Sequence, residues 1–272
     1  MRCTSDELAQ KRRFADTYGR SQTPVMRAIE RRVCGCDYGG NSWTTHEQAD
    51  DLVRRLGLDG NATLLDLGAG SGWPALYLAE RCGCRAVLVD LPEIGLRLAR
   101  ERAAVQGTSA LVATLVADAA DLPLPDASFD AISHSDLLCC LVQKARVLAE
   151  CRRVVRGSGR MAFTVISITP GLTAAQHSRA LANGPDFIES EQDYPALLAA
   201  TGWTIIDRAD MTDAYGDACA RQIEADVAHG EDLAALIGRR DAEDRLANWR
   251  SKLSAIGDGL FRRELFVAAP AG

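Results

Sequence analysis

The chain has 272 residues, with 31 Lys and Arg against 37 Asp and Glu, for a formal net charge of −6. That length suits one α/β domain with additions, and the dispersed charge leaves no basic footprint for nucleic acid. The opening Met1–Glu7 lacks the apolar core of a signal peptide, and no run reaches the ~20 apolar residues of a membrane span, so a cytoplasmic protein without a membrane partner is expected.

Asp6 to about Leu58 carries mostly helical patterning, interrupted by the glycine-rich, aromatic loop Cys36–Thr45 and resuming in a helix over Glu47–Leu56. A first apolar strand, Leu64–Leu67, runs into the glycine turn Gly68-Ala69-Gly70-Ser71-Gly72, and a helix follows over Trp73–Glu80 with Pro74 in its first turn. Ala86–Asp90 is a second strand ending in an acid, and Leu111–Asp118 a third. Ser128–Ser133 gives the fourth and Arg160–Ile166 the fifth. Helical stretches over Glu93–Gln106, Leu137–Val155 and Glu191–Thr201 alternate with them. Gly202–Arg208 reads as a sixth strand and Leu260–Ala269 as a seventh. About 50 residues separate these two, too many for a bare loop, and helical patterns fill the gap over Asp213–Ala228, Glu231–Ile237 and Ala242–Ile256.

Alternation of strands and helices predicts right-handed parallel crossovers, and ligands of such sheets bind beyond the carboxyl ends of the strands. Asp66, Asp90 and Asp118 would all lie there. A strand–glycine turn–helix unit suits a nucleotide-type ligand, but a dinucleotide fingerprint needs glycine where Trp73 stands. Asp66 just before the turn would repel a pyrophosphate. It suits an ammonium group, which S-adenosylmethionine (SAM) carries alongside a carboxylate for the helix amides. Asp90 falls about 20 residues later, the offset at which an acid meets ribose hydroxyls.

These stretches, together with Val116–Asp130 and Leu148–Arg160, resemble the class I SAM-dependent methyltransferases, in the small-molecule group that includes the ubiquinone and menaquinone biosynthesis enzymes. The resemblance covers about Thr63 to Ile166. It implies a Rossmann-like, seven-stranded α/β sheet with helices on both faces and an antiparallel last strand inserted beside the fifth. It also implies that Asp66, Gly68 and Gly70, within the turn Gly68–Gly72 that includes Ala69 and Ser71, hold the methionine part of SAM. Asp90 would take the ribose, Leu91 would pack on adenine, Asp118 would receive the adenine amino group with Ala119 beside the ring, and Ser133 and His134 would lie near the sulfonium. The product would be S-adenosylhomocysteine (SAH). In related methyltransferases the segment before the first strand folds over SAM, which makes Tyr38, Trp43 and Thr44 lid candidates. Equally, Trp43 could staple the N-terminal helix pair while Thr44 or Thr45 caps the next helix.

The expected organisation is an N-terminal helical lid over residues 1–60, a SAM-binding core over 61–170, and a remainder over 171–272 with a helical substrate lid at about 211–258, all one structural domain. Of the lid's larger side chains, Arg221, Arg239, Arg240 and Trp249, most are expected at the surface. The nine cysteines include Cys34-x-Cys36 and Cys82-x-Cys84, whose spacing is too narrow for a usual zinc site, so no metal is expected and thiols are the default. Cys139 and Cys140 follow the fourth strand, near the expected reaction centre, where members of the group often carry histidine.

The expected activity is methyl transfer to the oxygen, nitrogen or carbon of a small-molecule acceptor, by in-line displacement. An activated methyl needs alignment and exclusion of water more than a protein nucleophile. Where a proton must leave, His134 is the first candidate base and His177, on the segment Gly171–Asn183, the second. His134 could equally be a packed core residue. An NAD-dependent oxidoreductase on a similar sheet and a non-catalytic SAM-binding protein are the alternatives. Homodimerisation stays open.

Overall fold

The computed structural model describes residues 5–40 and 42–272. Asn41 of the aromatic loop and Met1–Thr4, on which the signal-peptide reading partly falls, lie outside the described residues. Three helices, α1 (Ser5–Ser21), α2 (Pro24–Cys34) and α3 (His46–Leu56), precede the sheet. The strands β1 (Thr63–Leu67), β2 (Arg85–Asp90), β3 (Val112–Val116), β4 (Phe129–Ser135) and β5 (Val155–Ile168) then alternate with helices α4 (Ala75–Cys82), α5 (Glu93–Gln106) and α6 (Lys144–Val154). Helices α7 (Ala174–Asn183) and α8 (Tyr194–Ala200) lead to β6 (Trp203–Asp210). Between it and β7 (Phe261–Pro270) lie α9 (Thr212–Ala228), α10 (Gly230–Ile237) and α11 (Arg239–Gly257).

The seven strands form one sheet in the order β3-β2-β1-β4-β5-β7-β6, in which β7 runs antiparallel to both β5 and β6 and the remaining pairs are parallel. This is the expected α/β architecture, with the last strand inserted beside the fifth. Three boundaries differ, each for a local reason. The helix expected over Leu137–Val155 is two pieces, a 3-10 turn at Leu138–Cys140 and then α6. The Lys144 ammonium supports the break, donating to Leu141 O at 2.7 Å, a carbonyl freed by it, and to Phe187 O at 2.6 Å between α7 and α8. Strand β5 starts at Val155 rather than Arg160. Its pairing with β4 shifts register between Phe129 and Ala131, and a Cβ on Gly159 would come within 2.8 Å of Asp130 O. Pro74 caps α4 instead of opening its first turn.

Alternation along the strands divides the core into two layers. Leu65, Leu67, Ile132, Phe163 and Phe266 pack into one cluster, whereas Leu64, Leu88, Ala131, Ala162, Leu265 and Val267 belong to the other. By the same alternation Asp66, Ser133, Thr164 and Arg263 share the second face, while His134 points to the first. Near the carboxyl ends of the strands, the second face therefore exchanges its apolar lining for a polar row. The N-terminal helices and the late insertion meet: α2 packs on α9, where Arg221 Nε donates to Val33 O at 3.1 Å. Arg239 and Arg240 are surface residues, paired with Glu231 and Asp244.

Candidate functional site

Asp66 is 2% exposed and accepts a 2.5 Å hydrogen bond from Ser133 Oγ, its neighbour across the β1–β4 pair. Burial pushes its carboxyl up to about 7, with the Asp90 charge adding to the rise and the Ser133 hydroxyl opposing it. A carboxyl held in this way gains most from a cation brought to it. Asp90 ends β2, and burial pushes it up to about 6 despite amide donors. Its Oδ2 accepts from Gly70 N at 2.7 Å and its Oδ1 from Leu91 N at 2.8 Å.

The glycine turn is held by its own strand neighbours. Gly68 N and Ala69 N donate to Val89 O at 2.8 and 3.1 Å, and Gly72 N donates to Ala69 O at 2.8 Å. The amides of Gly68, Ala69 and Gly70 are thus already bonded within the protein, a departure from the expectation that glycine simply bares them to a ligand. What the glycines provide is conformation and room. Gly70 sits at φ +52°, and a Cβ there would lie 3.0 Å from the Tyr18 hydroxyl. Ser71 is buried, and its Oγ has no partner. Asp118 Oδ1 accepts from Ala120 N at 2.9 Å, which shapes the turn that carries the half-buried Ala119 past the end of β3.

Of the lid candidates, Thr44 and Trp43 reach the carboxyl edge and Tyr38 does not. Thr44 is 1% exposed; its hydroxyl donates to Ser135 Oγ at 3.0 Å, and its carbonyl accepts from Trp73 Nε1 at 2.8 Å. Thr45 caps α3 with a reciprocal Gln48 contact. Trp43 packs edge-on against Tyr215 of α9 at 5.2 Å and Trp249 of α11 at 5.4 Å, and also against the cluster that holds Ile29, Val33 and Cys34 of α2, so it fastens the N-terminal helices to the late insertion. Tyr38 is a packing residue, 5.1 Å from Trp73, with the Arg102 guanidinium over its ring and Gln106 donating to its hydroxyl.

His134 departs from the expectation of a base. It is 1% exposed, its ring stacks on Phe163 at 4.6 Å, and neither ring nitrogen has a partner. Burial alone depresses it to about 3, and strand alternation turns it away from the face that holds Asp66 and Ser133. His177 stands 3.6 Å from Glu189 beside a hollow of about 300 Å3 lined also by Ser167, Tyr194, Arg208 and Glu264. None of the expected cofactor residues lines that hollow.

Several site residues escaped the sequence reading. Tyr18 of α1 reaches Asp90 Oδ2 at 3.4 Å and closes over Gly70. Glu30 of α2 accepts from Gly39 N at 2.6 Å and Gly40 N at 3.1 Å, holding the aromatic loop against the glycine turn. Burial pushes its carboxyl up to about 7. Arg263 is 0% exposed and pairs with Asp136 at 2.9 Å. It is one of three consecutive charges, Arg262-Arg263-Glu264, at the start of β7, and strand alternation puts it on the face that Leu265 and Val267 share. Cys139 and Cys140 both lie within hydrogen-bond reach of Asp136 O, at 3.1 and 3.6 Å; the hydrogen bond between the two thiols lowers the pKa of Cys140 and raises that of Cys139. Among the described residues no group of three or more His, Cys, Asp or Glu could hold a metal ion.

Residues 65–163 match the family described as a methyltransferase domain. Across 257 residues the chain is 24% identical to phosphoethanolamine N-methyltransferase 1 of Zea mays, covering 94% of this chain and 50% of that relative. The chain thus spans about half the length of that curated relative. The crystal structure of Haemonchus contortus phosphoethanolamine N-methyltransferase 2 with phosphomonomethylethanolamine and SAH superposes at a TM-score of 0.77 and 20% identity, over 95% of this chain and 60% of that one. The (4+2)-cyclase SpnF superposes at 0.71 and 23% identity over 96% and 97% of the two chains. No helix among the described residues is long and apolar enough to cross a membrane. The site at the carboxyl edge of β1, β2 and β4 therefore lies in a methyltransferase domain, residues 65–163, within a class I methyltransferase fold.

Proposed function

We propose that this chain is a SAM-dependent methyltransferase acting on a small-molecule acceptor. One observation carries the reading: a carboxyl, Asp66, buried at the end of β1, held by a single hydroxyl and pushed up to about 7, with a glycine turn beside it and a second acid one strand away. The residues present fit the cofactor. Asp66 would take its ammonium group, Asp90 the ribose hydroxyls, and Asp118 with Leu91 and Ala119 the adenine; the orphaned Ser71 hydroxyl is a free donor beside the turn. SAM supplies a methyl already activated on a cationic sulfur. The protein's part is to align the acceptor and exclude water. Tyr18, Trp43 and Thr44, packed over the carboxyl edge from the N-terminal side, and Tyr215 and Trp249 from the insertion serve that exclusion. The solved relative bound to phosphomonomethylethanolamine supports a small acceptor.

Calorimetric titration of the full chain with SAH and with NAD tests this directly. SAH binds and NAD neither binds nor competes; NAD binding in place of SAH refutes the reading. Transfer of label from methyl-labelled SAM to small acceptors then separates an enzyme from a protein that only binds SAM.

A further inference from the structure

Where the N-terminal helices meet the late insertion, they enclose a hollow of about 100 Å3, a volume that takes a head group of a few heavy atoms. Helices α1 and α2, the loop segments Gly39–Gly40 and Ser42–Trp43, and helices α9 and α11 form its walls. The hollow adjoins the glycine turn. A Cβ on Gly40, in its wall, would lie 3.4 Å from Ser71 Oγ on one side and 3.6 Å from Glu30 Oε1 on the other. It therefore opens beside the proposed cofactor site, between the two segments that cover the carboxyl edge.

Two acceptors in its wall have capacity left. Glu30 takes Gly39 N on one oxygen at 2.6 Å and Gly40 N on the other at 3.1 Å, with the Cys36 thiol 3.7 Å away. A carboxylate accepts about four hydrogen bonds, and Glu30 forms no ion pair among the described residues. Gln222 is 8% exposed, and its amide nitrogen donates to Asp226 Oδ1 at 2.7 Å, which leaves its carbonyl oxygen without a hydrogen bond among the described residues. The cation in the wall is already committed, because Arg245 donates to both oxygens of the buried Asp226, at 2.6 and 3.2 Å. Cys34 stays a neutral thiol, since burial pushes it up to about 12. With Arg245 and Asp226 cancelling, Glu30 is the unmatched charge of the hollow, and burial pushes its carboxyl up to about 7. The rest of the wall is apolar: Met26, Ile29 and Val33, with the rings of Trp43 and Trp249. What fits is a small cation with several N–H donors and a short apolar stem.

We propose that the methyl acceptor carries a protonated amine that this hollow receives, its N–H groups on Glu30 and the Gln222 carbonyl and its alkyl carbons against Met26, Ile29, Val33 and Trp43. This deepens the methyltransferase reading and rests on it. The ammonium supplies the counter-charge that Glu30 lacks, in a site largely closed to water, where a charge-assisted hydrogen bond is strong. A neutral analogue of the same shape leaves the carboxylate unmatched, and an anion meets its repulsion, so both are discriminated against.

The test titrates the full chain, with and without SAH, with butylamine, 1-butanol and butyrate, three probes of one length and different charge. Calorimetry gives the affinities, and tryptophan fluorescence reports the hollow through Trp43 and Trp249. Butylamine binds about tenfold or more tightly than butanol, and butyrate binds no better than butanol. Glu30→Gln keeps an acceptor for the loop amides and removes the charge: it brings the amine down to the level of the alcohol and leaves the affinity for the alcohol itself within about twofold. A Glu30 that only holds the loop would lower both probes alike, and that result overturns the proposal. Gln222→Leu reduces the amine preference severalfold, and Met26→Trp, which fills the hollow from its wall, weakens amine and alcohol together. The proposal is also overturned if butanol or butyrate binds as well as butylamine, if no probe binds, or if the preference survives in Glu30→Gln. Should Glu30→Gln not fold, amine binding unaltered in Gln222→Leu and in Met26→Trp overturns it instead. Failure of the wild-type chain to bind SAH counts against the methyltransferase reading, whereas the amine preference measured without SAH is judged separately.

Discussion

Asp66→Asn keeps the shape of the side chain and removes its charge, so it isolates what the buried carboxyl does. On folding, the group moves from an ordinary 3.8 to about 7, chiefly by burial. At about 1.4 kcal/mol per tenfold change, holding it ionised in the ligand-free protein costs roughly 4 kcal/mol. The folded chain binds this proton more tightly than the unfolded one. The stabilisation is therefore complete below pH 4 and is lost as pH rises through about 7. Between pH 5 and pH 8 the wild type loses roughly 2–3 kcal/mol that the Asn variant does not. In a chain of this size that corresponds to roughly 5–10 °C in Tm. Thermal unfolding in buffers from pH 5 to pH 8 reads it: the variant gains on the wild type as pH rises. A ligand ammonium reverses the cost, so SAH affinity of the wild type increases over the same range, whereas the variant binds SAH weakly and with little pH dependence. Adenosine, which lacks the amino-acid part, binds both proteins alike. Tm curves that stay parallel, or SAH affinity unchanged by the substitution, would refute the argument.

The other predictions concern the frame around that carboxyl. His134 is neutral in the fold at about 3, below an unfolded value of 6.5, so its stabilisation is present above pH 6.5 and falls with acid, by roughly 2 kcal/mol between pH 6.5 and pH 5. His134→Leu abolishes that acid-side loss in a Tm–pH series and leaves the pH profile of methyl transfer unmoved; a lost acidic limb in the profile would restore the base reading. Arg263→Met strands Asp136 and costs roughly 3–5 kcal/mol in urea unfolding. Adding Asp136→Asn recovers much of it, and strictly additive losses would show the pair to be uncoupled. Gly70→Ala places a Cβ 3.0 Å from the Tyr18 hydroxyl at a left-handed φ. It lowers stability by about 1–2 kcal/mol and displaces Tyr18, which tyrosine fluorescence with and without SAH reports; an unperturbed variant would mean that Tyr18 does not close over the turn.

What the sequence made legible is local. Strands β1, β2 and β3 are short runs with an acid or a glycine at or just past their carboxyl ends, so Asp66, Gly68–Gly72, Asp90 and Asp118 could be located in the fold from neighbours within about ten residues. Even the insertion between β6 and β7 was legible, because three helical periods cannot be a bare loop. The choice between a base and a packed residue at His134 also had a local answer. In β4 the residues that pair with Asp66's face are Ala131 and Ser133, so alternation alone sends His134 to the opposite side.

The acceptor side is of another kind, because nothing in it is periodic. Thr44 meets Ser135 across 91 residues, Arg263 meets Asp136 across 127, and Trp43 is held by rings on α9 and α11. Such contacts join segments whose own patterns specify only helix or strand, and the chemistry arises where their ends coincide. Buried charge offers the one general handle. Arg263 is fully buried in β7, and a charge inside a fold needs a partner. Arg263 has found Asp136, which ties the end of β4 to β7 and fixes the turn that carries Cys139 and Cys140. That pair holds the scaffold at the carboxyl edge through two residues 127 positions apart, a contact that no local pattern in either strand announces.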